Sequence, residues 1–307
     1  MSAAFDFQPW MAAQLAAVEH ALDTWVSIAT TADMGHQAPA DLMAAMRYAV
    51  QGGGKRLRPL LVLATAQATG APPGHEAALR AACATELIHA YSLVHDDMPC
   101  MDNDVLRRGK PTVHVQFGEA VAMLAGDALQ ALAFELLTPD VGVISAAQQA
   151  QLCRLLSRAA GCAGMAGGQA IDLASVGLHL TEAQLREMHR LKTGALLQAS
   201  VMMGAACGSA SAQAQAALQT YGAAIGLAFQ VVDDMLDVTA DSATLGKTAG
   251  KDAAADKPTY VSLMGLTAAG AYAQSLHDQA VQALADSGLG DTQALQALAN
   301  WVVNRSC

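Results

Sequence analysis

Two aspartate clusters offer the most distinctive chemistry in this sequence. The first runs Asp96-Asp97-Met98-Pro99-Cys100-Met101-Asp102, with Asn103 and Asp104 behind it; the second is Asp233-Asp234-Met235-Leu236-Asp237. They lie more than a hundred residues apart, each at the end of a strongly apolar run. Asp233 and Asp237 are four apart, so on a helix they share a face at about 6 Å along the axis. Like charges so placed destabilise a bare helix. A hard cation such as Mg2+, which takes carboxylate oxygens and keeps several waters, removes that penalty. Asp96 and Asp102 are six apart, about 120° apart around a straight helix. Pro99 between them must distort the helix, which could bring both carboxylates to one mouth. A single aspartate pair in an acidic protein is usually a solvated helix end. Two such clusters, each beside apolar sequence in a chain with few charges, favour a metal site. A calcium loop fits less well, because the D-x-D-x-D-G pattern is absent.

Cations stand near both clusters in the sequence. Gly53-Gly54-Lys55-Arg56-Leu57-Arg58-Pro59 puts three of them in a glycine-rich turn that runs into a helix. Arg107-Arg108-Gly109-Lys110-Pro111-Thr112 follows the first acidic cluster, Lys192-Thr193 sits in a long helix, and Lys247 and Lys257 follow the second cluster. Any one of these is ordinarily a solvated surface charge. Carboxylates with metals on two walls, joined by cations, would make a diphosphate site. Leu245-Gly246-Lys247-Thr248 imitates the end of a nucleotide-binding P-loop, but position 241 is Asp241 rather than glycine and no strand precedes it.

The elements that must hold these residues read as helices. The chain has 307 residues, is 53% hydrophobic and only 14% charged, against roughly 25% charged in an average domain. This is long enough for a large core and excludes disorder. With 17 basic and 27 acidic residues the net charge is −10, which argues against nucleic-acid binding. Helical spacing of apolar residues marks segments near 10–29, 41–51, 58–70, 75–97, 117–136, 145–163, 181–207, 211–239, 258–287 and 291–304. Breakers separate them, among them Gly52-Gly53-Gly54, Pro72-Pro73-Gly74, Pro139 and Gly288. Thr181, followed by Glu182 and Gln184, reads as a helix start. No alternating strand of useful length and no N-G or D-G hairpin is evident. The expectation is an all-α, single-domain bundle of ten or more helices spanning residues 1–307. No Lys or Arg precedes Arg47, so no secretory signal is read. The apolar stretches 193–210 and 222–232 are read as buried helices, not membrane spans, and the protein as cytoplasmic. The six cysteines form no C-x-x-C pair and are read as small buried hydrophobes.

Leu87-Ile88-His89-Ala90-Tyr91-Ser92-Leu93-Val94-His95-Asp96-Asp97, running on to Leu106-Arg107-Arg108-Gly109-Lys110-Pro111-Thr112, resembles the first aspartate-rich motif of the trans-isoprenyl diphosphate synthases. Phe229-Gln230-Val231-Val232-Asp233-Asp234-Met235-Leu236-Asp237 resembles the second. The Gly-Gly-Lys-Arg-x-Arg-Pro segment, Lys192-Thr193-Gly194 and Lys257-Pro258-Thr259-Tyr260 follow in the family's order. The resemblance covers about Met43 to Arg305 and is strongest to the bacterial farnesyl diphosphate synthases. Ala240 and Asp256 depart from it, standing where the family often has glycine.

The resemblance implies a helical bundle around a central cavity, usually a homodimer. It implies a transferase that condenses isopentenyl diphosphate with dimethylallyl and geranyl diphosphate. Asp96 and Asp102 would ligate two Mg2+ ions with Asp97 in support; Asp233 would take a third, with Asp237 acting through water, and Mn2+ could substitute. Arg107, Lys192, Lys247 and Lys257 would hold the allylic diphosphate; Lys55, Arg58, His89 and Arg108 would hold isopentenyl diphosphate. Thr193 and Gln230 match groups whose oxygens face the developing cation. Arg56 is grouped with the diphosphate-facing cations. Tyr91 and Ser92, five and four residues before Asp96, lie roughly 6–8 Å below the metal site along a helix. A bulky Tyr91 could floor the chain pocket, and in the resembling family an aromatic here accompanies short products, so a C15 product is expected. Geranyl or geranylgeranyl diphosphate synthesis on the same scaffold, or a silent helical partner subunit, are the alternatives.

Overall fold

The computed structural model describes residues 5–28, 37–140, 142–239 and 258–305. Among the described residues the regular structure is helical except for one small hairpin. Its helices are α1 (Phe7–Trp25), α2 (Ala40–Val50), α3 (Leu57–Ala68), α4 (Glu76–Asp96), α5 (Val113–Phe117), α6 (Glu119–Leu137), α7 (Ala146–Ala160), α8 (Met165–Ala174) and α9 (Glu182–His189). A π-helical turn, Arg190–Gly194, leads into α10 (Ala195–Cys207). Then come α11 (Ala212–Thr239), α12 (Tyr260–Met264), α13 (Leu266–Asp286) and α14 (Gln293–Val303). The hairpin pairs β1 (Leu106–Arg107) with β2 (Lys110–Pro111), antiparallel, with Arg107 opposite Lys110.

The helix starts follow from local chemistry. Asp6 caps α1, Ser145 caps α7, and Thr181 with Gln184 forms a reciprocal capping box on α9, as expected. The segment expected to be one helix over 258–287 is two, because Gly265 takes φ 80° between α12 and α13. The helix α8 was not expected; its Gly167-Gly168 pair weakens the helical pattern. The hairpin was likewise not expected. Its strands are two residues long, too short to show alternation, and its turn residues Arg108 (φ 53°) and Gly109 (φ 73°) take the left-handed values of a type I′ turn.

The core has two clusters that meet on α3 and α10. Val18, Met46, Leu87, Ile88, Leu129 and Leu152 lie in one; Leu61, Tyr221, Ile225, Leu276 and Leu298 lie in the other. α10 feeds both: Leu196, Ala199, Met203 and Cys207 point one way, Leu197, Val201 and Ala205 the other. That is the pattern of a helix apolar all round and therefore central. Helix α6 is long and apolar enough to cross a membrane by composition; here it packs against α4 and α2. Of the cysteines, Cys83 and Cys207 are buried as expected, whereas Cys100 and Cys162 are exposed. Cys100 is exposed because it lies in the turn after Pro99, outside the helix.

Candidate active site

Helix α4 ends at Asp96, one residue into the first acidic cluster. Beyond it the chain folds into a tight turn. Asp97 N–H donates to Leu93 O, Met98 N–H to His95 O and Asp104 N–H to Asp97 O. Asp102 N–H donates to Asp96 O at 2.9 Å. Pro99 thus stops the helix and the turn returns Asp102 to Asp96. The two carboxylates sense each other: burial first, then Asp102 and Asp97, push Asp96 up to about 6, against Lys192 and Arg107. Burial also raises Asp97, against the pull of Arg107.

The hairpin carries Arg107 back over this turn. Its Nε and Nη2 grip the Asp97 carboxylate at 2.6–3.0 Å, a forked pair with Asp97 almost fully buried. Arg108, next in the turn, points the other way and donates to Gly53 O. Its guanidinium fills the space where a side chain on Gly54 would sit, so this glycine admits the arginine. Lys55 is half-buried in the same loop. Arg58, the second residue of α3, lies near Glu86, Asp233 and Arg108; burial lowers it, and the two carboxylates oppose that. His89 on α4 is held well below its ordinary value by burial and then by Arg58, Arg108 and Arg107. Arg58, His89 and Arg108 therefore lie close to one another.

Arg56 does not join them. It turns inward, donating to Glu86 at 2.6 Å, to Glu19 at 2.7 Å and to Val50 O at 2.6 Å. Burial opposes its charge, but Glu86 and Glu19 outweigh that and raise it. The residue sits at φ 47° as the N-cap of α3. This left-handed backbone aims its side chain into the bundle, although its motif groups it with the diphosphate-facing cations.

The opposite wall is built by the π turn and α11. The π turn carries Lys192 and Thr193, and such turns often mark functional sites. It is pressed from two sides. A Cβ on Gly168 of α8 would lie 2.1 Å from Lys192 N, and one on Gly226 of α11 would lie 2.9 Å from Gly194 Cα. Glycine at both positions lets the three backbones meet. Lys192 Nζ pairs with Asp172 Oδ2 at 2.5 Å. Thr193 Oγ1 donates to Gln230 Oε1 at 3.0 Å, and Gln230 Nε2 donates to Asp234 Oδ1 at 2.9 Å. Asp233 pairs with Arg305 at 2.8 Å, and Arg305 also donates to Phe229 O and lies 3.9 Å over the Phe229 ring. Asp237 is buried one turn on from Asp233. Lys247, Lys257, Ala240 and Asp256 lie outside the described residues.

Three partnerships were not foreseen: Asp172 with Lys192, Arg305 with Asp233, and Asp234 with Gln230. The first two leave no motif in the sequence. Asp234 is visible inside its motif, but its inward turn is not. Together with Arg107–Asp97, these pairs give each of these aspartates a hydrogen-bonding or ionic partner on its own side.

The acidic residues suit Mg2+. Among the described residues no three ligating side chains converge on one point. Asp96 and Asp102 form one group and Asp233 with Asp237 another. That matches a cation which keeps waters and binds one or two carboxylates plus substrate phosphate oxygens. The raised Asp96 is a charge that such a cation would relieve.

Tyr91 stands on α4 between Asp96 and α6. Its ring meets His95 edge-on at 5.8 Å, its hydroxyl lies near Gln130 of α6, and burial raises it. Ser92 Oγ donates back to His89 O at 2.9 Å.

Residues 39–295 match the family model described as polyprenyl synthetase. The chain is 48% identical to the farnesyl diphosphate synthase of Escherichia coli over 266 residues, 85% of this chain and 88% of that one. It is 43% identical to the large subunit 1 of the heterodimeric geranylgeranyl pyrophosphate synthase of Arabidopsis thaliana over 307 residues, 98% of this chain and 80% of that one. The crystal structure of an FPP/GFPP synthase from Zymomonas mobilis superposes with a TM-score of 0.82 at 39% identity, covering 97% of this chain and 98% of that one. The family match over most of the chain, with relatives this similar along nearly its whole length, makes it a member of the polyprenyl synthetase family, of the trans-prenyl diphosphate synthase type.

Proposed function

We propose that this chain condenses isopentenyl diphosphate with dimethylallyl diphosphate and then with geranyl diphosphate, releasing farnesyl diphosphate (C15) and diphosphate. The observation that carries the C15 reading is Tyr91. It stands about one and a half turns before Asp96, with its ring edge-on against His95. An aromatic ring so held leaves little depth for a growing chain.

In this reading Asp96 and Asp102 hold Mg2+ on one wall, with Asp233 and Asp237 on the other. Bound Mg2+ supplies neutralisation of the leaving diphosphate. Arg107, steered by Asp97, and Lys192, steered by Asp172, contact the allylic diphosphate, with Lys247 and Lys257 assisting. Arg58, His89, Arg108 and Lys55 hold isopentenyl diphosphate. Breaking the allylic C–O bond leaves a carbocation, and the Thr193 and Gln230 oxygens face it with their negative ends. The apolar wall excludes water that would quench it. The isopentenyl double bond then attacks, and the released diphosphate takes the proton.

We also propose that the chain acts as one domain, in the cytoplasm and as a homodimer. Exposed Val115, Met123 and Leu124 on α5 and α6 are the apolar surface that supports pairing. The test incubates the protein with Mg2+, dimethylallyl and isopentenyl diphosphates and identifies the products by mass. C15 is expected, and no condensation would sink the reading. C20, which the name of the Arabidopsis relative keeps in play, would overturn the chain-length part. Tyr91→Ala is expected to lengthen the product; unchanged C15 from that variant would remove Tyr91 as the floor.

A further inference from the structure

Asp234 is only 3% exposed although it stands in the middle of an acidic cluster. Its Oδ1 accepts the Gln230 Nε2–H at 2.9 Å, and its Oδ2 accepts the Tyr260 backbone N–H at 2.8 Å. The second donor opens α12, where helix N–H groups need an acceptor. The carboxylate is tethered at both ends and turned away from the cavity that Asp233 faces.

A carboxylate can only accept hydrogen bonds. The Gln230 amide must therefore show Asp234 its NH2 group, which leaves its carbonyl oxygen for Thr193. Thr193 in turn has only one role open: its hydroxyl hydrogen goes to Gln230 Oε1, at 3.0 Å, and its lone pairs stay on the other side. Thr193 and Gln230 are half-buried on the cavity wall, whereas Asp234 lies behind them. We propose that Asp234 is a positioning residue that fixes the polarity of this pair, so that oxygen lone pairs and not hydrogens face the reacting carbon. The inference rests on the prenyl-transfer reading above. With the amide inverted, Gln230 would donate to Thr193 and swing the hydroxyl hydrogen outward. The positive end of that dipole would then oppose a developing carbocation. A carboxylate held by Gln230 and the Tyr260 backbone thus sets the sign of the local field.

Asp234→Asn tests this. The Tyr260 N–H still needs an acceptor, so the carbonyl of the introduced amide stays there and its NH2 meets Gln230, forcing the inversion. The expected result is a fall in kcat of about 10- to 100-fold, with both diphosphate KM values within about threefold of wild type. Adding Gln230→Glu restores an acceptor towards both the introduced amide and Thr193, and is expected to recover about tenfold of the lost kcat. Spectra of [15N]glutamine-labelled protein follow the amide directly. The Gln230 signal, identified by its loss in Q230E, is expected to move in both D234N and D234A. An unchanged kcat in D234N, a loss seen only in KM, a double variant no better than D234N, or an unmoved Gln230 signal would each overturn the proposal. If the wild-type protein makes no prenyl product, the reaction reading fails, while the amide signal still decides the orientation.

Discussion

Arg56 and Arg58 are two residues apart in one motif, and they are expected to fail in different ways when removed. Arg56 and Glu86 have side chains 2% and 4% exposed and are joined at 2.6 Å. Glu19, the other partner, is 44% exposed and adds less. Replacing Arg56 by Met leaves Glu86 buried in the bundle without its closest cation. Breaking a pair of this kind costs about 3–5 kcal/mol. Unfolding entropy for a chain of 307 residues is about 0.6 kcal/mol/K, so the melting temperature should fall by about 5–8 °C. The kinetics should not follow: Arg56→Met is expected to keep its KM for isopentenyl diphosphate below the melting temperature. Replacing both partners, Arg56→Met with Glu86→Leu, removes the stranded charge and should recover most of the loss. Arg58→Met should do the opposite, raising that KM severalfold with little change in melting. Thermal denaturation and initial-rate assays on the four proteins decide the matter. If Arg56→Met melts within about 1 °C of wild type, or weakens isopentenyl diphosphate binding at unchanged stability, the inward placement of Arg56 is refuted.

Three other perturbations follow from the same geometry. Burial holds His189 at about 4, below its ordinary value of 6.5, with Asp172 and Lys192 as smaller influences. A depressed histidine leaves stability intact above about pH 6.5 and withdraws it as pH falls towards 4, by about 3 kcal/mol in all. Urea unfolding of wild type and His189→Asn across that window should show a slope lost in the variant; equal slopes would exclude it. Gly168→Ala forces a Cβ onto the Lys192 backbone. It should cost about 1–3 kcal/mol and lower kcat at least tenfold, and a neutral phenotype would show that α8 and the π turn do not meet so closely. Mg2+ and inorganic diphosphate together should raise the melting temperature by more than the sum of either alone, because the carboxylates form two separated groups and need phosphate oxygens between them. Equal stabilisation by Mg2+ alone would point to a preformed metal cage.

The helical architecture was legible because its cause is local. Periodic alanine, leucine and methionine between glycine and proline breakers mark the helices, and Thr181 with Gln184 marks a start that the structure reproduces. The folding-back of Asp102 onto Asp96 was legible from Pro99 alone. The pairs Lys192–Asp172 and Arg305–Asp233 were not, because they join residues 20 and 72 apart through tertiary packing. The inward turn of Arg56 was not legible, because a left-handed backbone at a non-glycine residue leaves no mark in the sequence. The hairpin escaped notice because two-residue strands carry no period.

The π turn at Arg190–Gly194 has a consequence for how this gene can vary. A π turn holds one residue more than the α turn it replaces, so the extra residue is absorbed there and α9 and α10 keep their facing. Losing a single codon inside the turn is taken up by a return to α geometry, and Leu196, Ala199 and Met203 stay on their core cluster. The same loss within α10 would rotate everything after it by about 100°. Inside the turn the cost falls on Lys192 and Thr193, whose places depend on the widened backbone. A deletion scan through 188–198 should therefore find the fold kept and activity lost within the turn, and both lost beyond it.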